Sequence, residues 1–126
     1  MKGQEVTNEQ RLRWRPLGYP MHFAGRHKCA FRLATLIERK IVVSTVGMWR
    51  PDPEEAPESL VGILPGDDPL LFETYVFLVT GFDRHGIPII GKELFGRPVH
   101  TDSEAYQLHS EQCEKFQRRL NMGQYR

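Results

Sequence analysis

Residues 70–79 have the sequence Leu-Leu-Phe-Glu-Thr-Tyr-Val-Phe-Leu-Val, which is apolar on both faces of an extended chain except at Glu73, Thr74 and the hydroxyl group of Tyr75. A strand of this kind is typical of the interior of a sheet, where other layers cover each face. We therefore predict that this stretch is a strand near the centre of a sheet.

A β-hairpin is predicted N-terminal to this strand. Residues 31–37 and 41–49 are two apolar segments, the second rich in β-branched side chains, and Glu38, Arg39 and Lys40 separate them. β-branched residues suit a pleated strand, and a three-residue polar break suits a hairpin loop even though no glycine marks it. A helix over residues 30–40 is the competing interpretation, which the lack of a preceding cap disfavours.

Turn residues follow the central strand at 81–86, and residues 87–90 and 94–100 are then predicted to form one or two shorter strands. Pro88 and Pro98 lie in these segments. Proline has no backbone N–H to donate across a sheet, so these strands are expected at an edge.

The C-terminal region is predicted to be a helix. Thr101 and Glu104 have the spacing of a capping box, in which the threonine hydroxyl accepts a hydrogen bond from the glutamate amide. Side chains suited to a buried helix face then recur at spacings of three and four residues: Ala105, Leu108, His109, Cys113, Phe116 and Leu120. Gly123 is the expected stop signal.

Length and composition indicate one folded domain. A chain of 126 residues with 40% hydrophobic and 26% charged residues matches ordinary globular domains. We expect an α+β fold, with a small antiparallel β-sheet of hairpins packed against one C-terminal α-helix. The expected organisation is an irregular basic N-terminal arm at 1–30, a single domain at 31–122 with an acidic Pro-rich loop at 50–69, and a tail at 123–126.

The formal net charge of +1 conceals an uneven distribution, because residues 1–40 carry a net charge of +6 and residues 41–126 carry −5. Such asymmetry is typical of a basic arm that binds an acidic partner, or of two halves that attract each other. No apolar run is long enough to span a membrane, and the N-terminus lacks a signal-peptide pattern. We expect a cytoplasmic protein whose two cysteines, Cys29 and Cys113, remain thiols.

Three residues are candidates for catalysis: Glu73, His109 and Cys113. A carboxylate in an apolar strand either acts as a general acid or base with a raised pKa, or is a structural group hydrogen-bonded in the core. His109 and Cys113 are four residues apart on one helix face, a spacing that allows a nucleophile–base pair or two metal ligands. A closed zinc site needs four ligands, so no metal or cofactor is predicted. The alternative is a His109 that packs and hydrogen-bonds, with Glu73 as one potential partner.

The candidate binding residues lie in the arm, where Arg11, Arg13, Trp14 and Arg15 interleave cations with an aromatic ring. This chemistry binds phosphates and stacks on bases. It is also typical of an arm that packs its tryptophan on the domain and leaves its arginines in water. Because the arginines are few and the rest of the chain is acidic, we expect a protein partner in preference to nucleic acid.

Three segments carry a resemblance: Val-Ser-Thr-Val at 43–46, Pro-Leu-Leu-Phe-Glu-Thr-Tyr-Val-Phe at 69–77, and Thr-Asp-Ser-Glu-Ala-Tyr-Gln-Leu-His at 101–109. Together they resemble a group of small uncharacterised phage and bacterial proteins with V-S-T-V, P-x-x-F-E-T-M-V-F and T-x-x-E-A-x-x-x-H segments. Tyr75 stands where that group tends to have methionine. The resemblance implies a phage or prophage origin, and hence the host cytoplasm, but no activity.

Two functions are compatible with these observations. The first is a non-catalytic binding module, a phage- or prophage-type accessory protein that engages a host or phage protein. The length of the loop and the basic arm favour this function, and no strong catalytic motif is present. The second is a small hydrolase or transferase that uses Glu73 and His109.

Overall fold

The computed structural model describes residues 5–18, 29–49 and 72–126. The predicted acidic loop at 50–69 lies outside the described residues, as do residues 19–28 of the predicted arm. Within the described part of the chain, no helix is long and apolar enough to cross a membrane.

The described residues form a five-stranded antiparallel sheet with one long helix. In chain order the elements are α1 (Asn8–Arg13), β1 (Arg15–Pro16), β2 (Cys29–Ile37), β3 (Ile41–Trp49), β4 (Phe72–Phe82), β5 (Pro88–Val99) and α2 (Asp102–Asn121). The strand order is β1-β2-β3-β4-β5, and α2 packs on one face of the sheet. The predicted α+β fold is confirmed. Strand β4 pairs with β3 and β5 and is therefore interior, as predicted, although β3 is the middle strand.

Strands β2 and β3 form the predicted hairpin, so the competing helix over residues 30–40 is wrong. In the turn, the Lys40 amide donates to the Ile37 carbonyl at 2.9 Å. Glu38 and Arg39 have φ angles of 48° and 60°, the positive values that a type I′ turn requires. Neither residue is glycine, so each costs about 1–2 kcal/mol of backbone strain that side-chain contacts have to offset.

Strand β5 is continuous over 12 residues, so the alternative of two shorter strands is wrong. It lies at the edge of the sheet in the described part of the chain, as Pro88 and Pro98 predicted. The pairing of β4 with β5 shifts register between Val76 and Gly81, where β-bulges interrupt the ladder. These bulges let one strand bend without ending.

Helix α2 begins at the predicted cap, where the Thr101 hydroxyl accepts from the Glu104 amide at 3.1 Å. The predicted apolar stripe faces the sheet and builds two clusters, one around Leu108 near the start of the helix and one around Phe116 near its end. In the first cluster, Phe31 and Phe72 pack edge to face with ring centroids 5.1 Å apart. The helix stripe therefore supplies one layer of the core.

Helix α2 ends in a Schellman turn at Gly123, the predicted stop. Gly123 has a φ of 90°, its amide donates to the Leu120 carbonyl, and the Gln124 amide donates to the Arg119 carbonyl at 3.0 Å. The turn reverses the chain, and the Nε of Arg126 then donates to the Leu120 carbonyl at 2.9 Å. The final residues therefore lie against the end of α2.

The N-terminal arm was expected to be irregular, and this expectation is wrong for residues 8–16. Helix α1 begins with a capping box in which the Thr7 hydroxyl accepts from the Gln10 amide and the Gln10 side chain accepts from the Thr7 amide. Strand β1 then pairs Arg15 with Leu36 and Pro16 with Thr35. The arm thus docks on both α2 and the edge of β2.

Candidate functional site

A buried group of polar side chains lies between the sheet and α2. His109 Nδ1 is 2.8 Å from Thr45 Oγ1, His109 Nε2 is 3.0 Å from Thr35 Oγ1, and Thr45 Oγ1 is 2.7 Å from Thr74 Oγ1. Thr45 and Thr74 are direct partners in the β3–β4 register, which places their hydroxyls side by side. We call these four residues the His109 cluster.

The His109 cluster holds a neutral imidazole. Burial lowers the pKa of His109 to about 4, because the charged form would lose its hydration. A neutral imidazole has one donor and one acceptor nitrogen, and each ring nitrogen has a hydroxyl partner here. The side chain of His109 is only 7% exposed. The cluster is therefore a satisfied polar core that fixes α2 on three strands, with little access for a substrate.

The three segments that carry the resemblance each contribute one side chain to the His109 cluster: Thr45, Thr74 and His109. Segments far apart in the sequence thus meet at one buried point. These three side chains therefore have a structural role, because they align α2 with β3 and β4.

Cys113 lies one turn after His109 on the same helix face, as the spacing predicted. Burial raises the pKa of its thiol to about 12, and the Thr35 hydroxyl hydrogen-bonds to it. The nucleophilic form of cysteine is the thiolate, so this thiol is a poor nucleophile at neutral pH. No three His, Cys, Asp or Glu side chains within the described ranges are grouped so that they could hold a metal ion.

Glu73 does not meet His109. Side chains alternate between the two faces of a strand, and Thr74 points toward α2, so Glu73 points to the opposite face with Tyr75. There the Tyr75 hydroxyl hydrogen-bonds to the Glu73 carboxylate. Burial, together with the nearby carboxylates of Glu73 and Glu93, raises the pKa of Tyr75. Glu73 is therefore not the hydrogen-bond partner of His109, whose ring nitrogens contact Thr35 and Thr45 instead.

A cleft of about 290 Å³ lies where α1, the β2–β3 turn and the end of α2 meet. We call it the Trp14 cleft, and it is lined by Gln10, Arg13, Trp14, Glu38, Gln117 and Arg126. Its volume is near the lower end of small-ligand pockets, so it suits a group of side-chain size. It combines an aromatic wall with charged groups of both signs.

A completely buried glutamine organises the wall of the Trp14 cleft. The Trp14 indole N–H donates to Gln117 Oε1 at 2.9 Å, and the Gln117 amide donates to Glu38 Oε2 and to Asn121 Oδ1. Arg126 Nη1 lies 3.0 Å from Glu38 Oε1. These contacts, together with the Arg39 guanidinium 3.8 Å from the Phe82 ring centroid, hold the turn in its strained conformation.

The four predicted binding residues have different environments. Arg11 forms a two-pronged contact with Glu114, with its Nη2 2.6 Å and its Nε 2.9 Å from Oε1, and so anchors α1 to α2. Arg13 and Trp14 line the Trp14 cleft. Arg15 is exposed in β1. Only two of the four residues are therefore brought together at one site.

Sequence reasoning missed four residues of the cleft: Gln10, Glu38, Gln117 and Arg126. A signal existed for Gln10, because Thr7-Asn8-Glu9-Gln10 has capping-box spacing and predicts the helix that positions it. No local signal placed Glu38 beside Gln117, because tertiary contacts bring the β2–β3 turn to the end of α2. Arg126 reaches the same place because the turn at Gly123 folds the chain end back onto α2.

The chain matches no protein-family model, and neither curated proteins nor solved structures give a match.

Proposed function

We propose that this chain is a non-catalytic binding module, an accessory protein of phage or prophage type, which engages an acidic segment of a host or phage protein through its N-terminal arm. The observation that carries the proposal is the orientation of α1. This helix has no buried residue, and its only large apolar side chain, Leu12, is 86% exposed.

Polar contacts hold α1 on the body of the protein. The Gln10 and Asn121 side-chain amides bond reciprocally at 2.8 and 3.0 Å, and Arg11 pairs with Glu114. A surface helix usually docks through its apolar residues. Here the apolar residue faces solvent instead, so Leu12 is accessible to a partner.

Basic residues lie close to this leucine in the sequence. Arg13 and Arg15 are both exposed, and the one ion pair that Arg13 makes within the described residues is a 4.0 Å contact with Glu9. Exposed pairs at this distance contribute little free energy. We call Leu12, Arg13 and Arg15 the arm surface. It presents one exposed apolar group and two exposed positive charges to an acidic partner.

The docked arm is also organised before binding. Its helix is capped at both ends and tied to α2, so a partner need not order it. Preorganisation of this kind reduces the entropy lost on association. A protein partner is favoured over nucleic acid because two arginines give few phosphate contacts, and the net charge of the chain is only +1.

The alternative function, a small hydrolase or transferase using Glu73 and His109, has less support. The two side chains lie on opposite faces of the sheet, and His109 is buried with both ring nitrogens hydrogen-bonded. A general acid or base must reach a substrate atom directly or through one water.

A displayed peptide library selected against the whole protein tests the proposed function. We expect enrichment of acidic peptides that contain an apolar residue, with binding that weakens at high salt. Leu12→Ser and Arg15→Glu should abolish the enrichment, whereas Arg97→Glu, an exposed arginine on the opposite edge strand, should preserve it. Selection of no acidic peptide, or binding that Leu12→Ser and Arg15→Glu leave intact, would contradict the proposal. Tighter binding of single-stranded DNA would favour a nucleic-acid partner instead.

A further inference from the structure

The unused hydrogen-bonding capacity of the Trp14 cleft indicates the chemistry of its ligand. Each of its acceptor oxygens already has at least one donor: Gln117 Oε1 has Trp14, Gln10 Oε1 has Thr7 and Asn121, and the two Glu38 oxygens have Arg126 and Gln117. Guanidinium groups carry five N–H donors each and no acceptor. The cleft therefore has donors to offer and needs a ligand that accepts.

Two guanidinium groups supply these donors. Arg126 uses its Nε for the Leu120 carbonyl and its Nη1 for Glu38, and no contact within the described residues engages its Nη2. Arg13 makes only the long contact with Glu9 among those residues. Both side chains line the same 290 Å³ space, so one small acceptor group can lie between them.

The charge of the lining favours a carboxylate over a phosphate. The side chains of Arg13, Arg126 and Glu38 together carry a net charge of +1, which a single carboxylate balances. A doubly charged phosphate would lie close to the fixed Glu38 carboxylate and be repelled by it. A planar carboxylate also matches the Nε–Nη2 edge of a guanidinium, the geometry that Arg11 already forms with Glu114. Arg13 can present this edge to a ligand, whereas Arg126 can add only its Nη2, because its Nε donates to the Leu120 carbonyl and its Nη1 contacts Glu38.

We propose that the Trp14 cleft is a carboxylate-binding site, which receives one acidic side chain or one chain-terminal carboxylate of a partner, bound between Arg13 and Arg126 against the Trp14 ring. This inference rests on the proposed function and makes it more specific. The arm surface attracts an acidic segment, and the cleft fixes one of its carboxylates.

Tryptophan fluorescence tests this site directly. The chain has two tryptophans, and a Trp49→Phe variant leaves Trp14 as the reporter on the wall of the cleft. The probes are acetyl-Gly-Glu-Gly-amide, acetyl-Gly-Gly-Gly with a free carboxylate, acetyl-Gly-Gln-Gly-amide as the uncharged control, and inorganic phosphate. We expect a saturable change with one or both carboxylate probes and none with the uncharged control.

Arginine variants identify the donors. Arg13→Gln and Arg126→Gln should each weaken carboxylate binding about tenfold, the effect of losing one charge-assisted hydrogen bond. Arg97→Gln is the matched control and should leave binding unchanged. Arg13 is exposed and, among the described residues, pairs only with Glu9 at 4.0 Å, so its variant should retain the fold even if Arg126→Gln does not. A response to only one carboxylate probe identifies whether the side chain or the chain terminus is the source.

Three results would overturn the carboxylate site: no saturable response to either carboxylate probe, binding that both glutamine variants leave unchanged, or tighter binding of phosphate. If acidic library peptides still require Leu12 and Arg15 in any of these cases, the proposed function stands without the carboxylate site. If those peptides also fail to bind, both proposals fail.

Discussion

The His109 cluster and the Trp14 cleft are both polar, but they differ in what remains available for a ligand. In the cluster, every ring nitrogen and hydroxyl has a partner and α2 closes the site. In the cleft, each acceptor oxygen has at least one donor, while guanidinium donors remain open to solvent. Residue types with catalytic potential are therefore not sufficient evidence of function. Unfilled hydrogen-bonding capacity at an accessible place is stronger evidence.

The largest expected effect comes from breaking the His109 cluster at its centre. Thr45→Val should lower the free energy of unfolding by about 4 kcal/mol, because it leaves a buried nitrogen of His109 and the buried Thr74 hydroxyl without a partner. Urea unfolding followed by circular dichroism measures the change. Thr80→Val is the matched control at an exposed strand position, where loss of the hydroxyl's hydrogen bond to the Ile89 carbonyl should cost no more than about 1 kcal/mol. An equal effect of the two variants would contradict a structural role for the cluster.

The second-largest expected effect is a loss of stability at low pH, which also involves the His109 cluster. The pKa of His109 is about 4 in the folded protein and 6.5 without burial, so the unfolded chain binds the proton more readily. The neutral imidazole therefore makes its full contribution to the free energy of unfolding above about pH 6.5. About 3 kcal/mol of this contribution is lost as the pH falls to 4. The measurement is the free energy of unfolding from pH 7 to pH 4 for the parent and for His109→Gln.

The parent and His109→Gln differ in their free energy of unfolding, and this difference should shrink by about 3 kcal/mol between pH 7 and pH 4. His100→Gln, at an exposed position, controls for the removal of an imidazole. A difference that stays constant across the pH range would show that His109 is not a buried neutral group.

A smaller effect is expected in the wall of the Trp14 cleft. Trp14→Phe removes the donor to Gln117 Oε1 and should cost about 2 kcal/mol, because Gln117 is completely buried. Tyr106→Phe, which removes a hydroxyl from an exposed ring, should cost less than about 0.5 kcal/mol. Thermal unfolding by circular dichroism compares the two variants. Equal stability of Trp14→Phe and the parent would mean that the hydrogen bond does not organise the cleft.

Periodicity and caps predicted the elements that form the core. The apolar run at 70–79 predicted interior β4, and the stripe from Ala105 to Leu120 predicted the face of α2 that packs on the sheet. Both predictions succeed because burial imposes a regular pattern on the side chains of a strand or helix. The capping box at Thr7 carried the same kind of information for α1, but the prolines and glycines around it led to the expectation of an irregular arm.

The arrangement of the candidate sites was not predictable from local patterns. Alternation correctly placed Glu73 with Tyr75, but it does not say which face of the sheet the helix covers. The Trp14 cleft unites a turn residue, a helix residue and Arg126, which are distant in the sequence. Only the docking of α1 and the Schellman turn at Gly123 bring them together.

Chemical-shift mapping tests the central claim most directly. Amide and indole spectra of the 15N-labelled protein would be recorded during titration with acetyl-Gly-Glu-Gly-amide. The account predicts saturable shifts of the Trp14 indole, the Arg13 amide and the Gln117 side chain, and no change at Thr45, Thr74 or His109. Shifts centred on the His109 cluster, or no shifts in the Trp14 cleft, would contradict it.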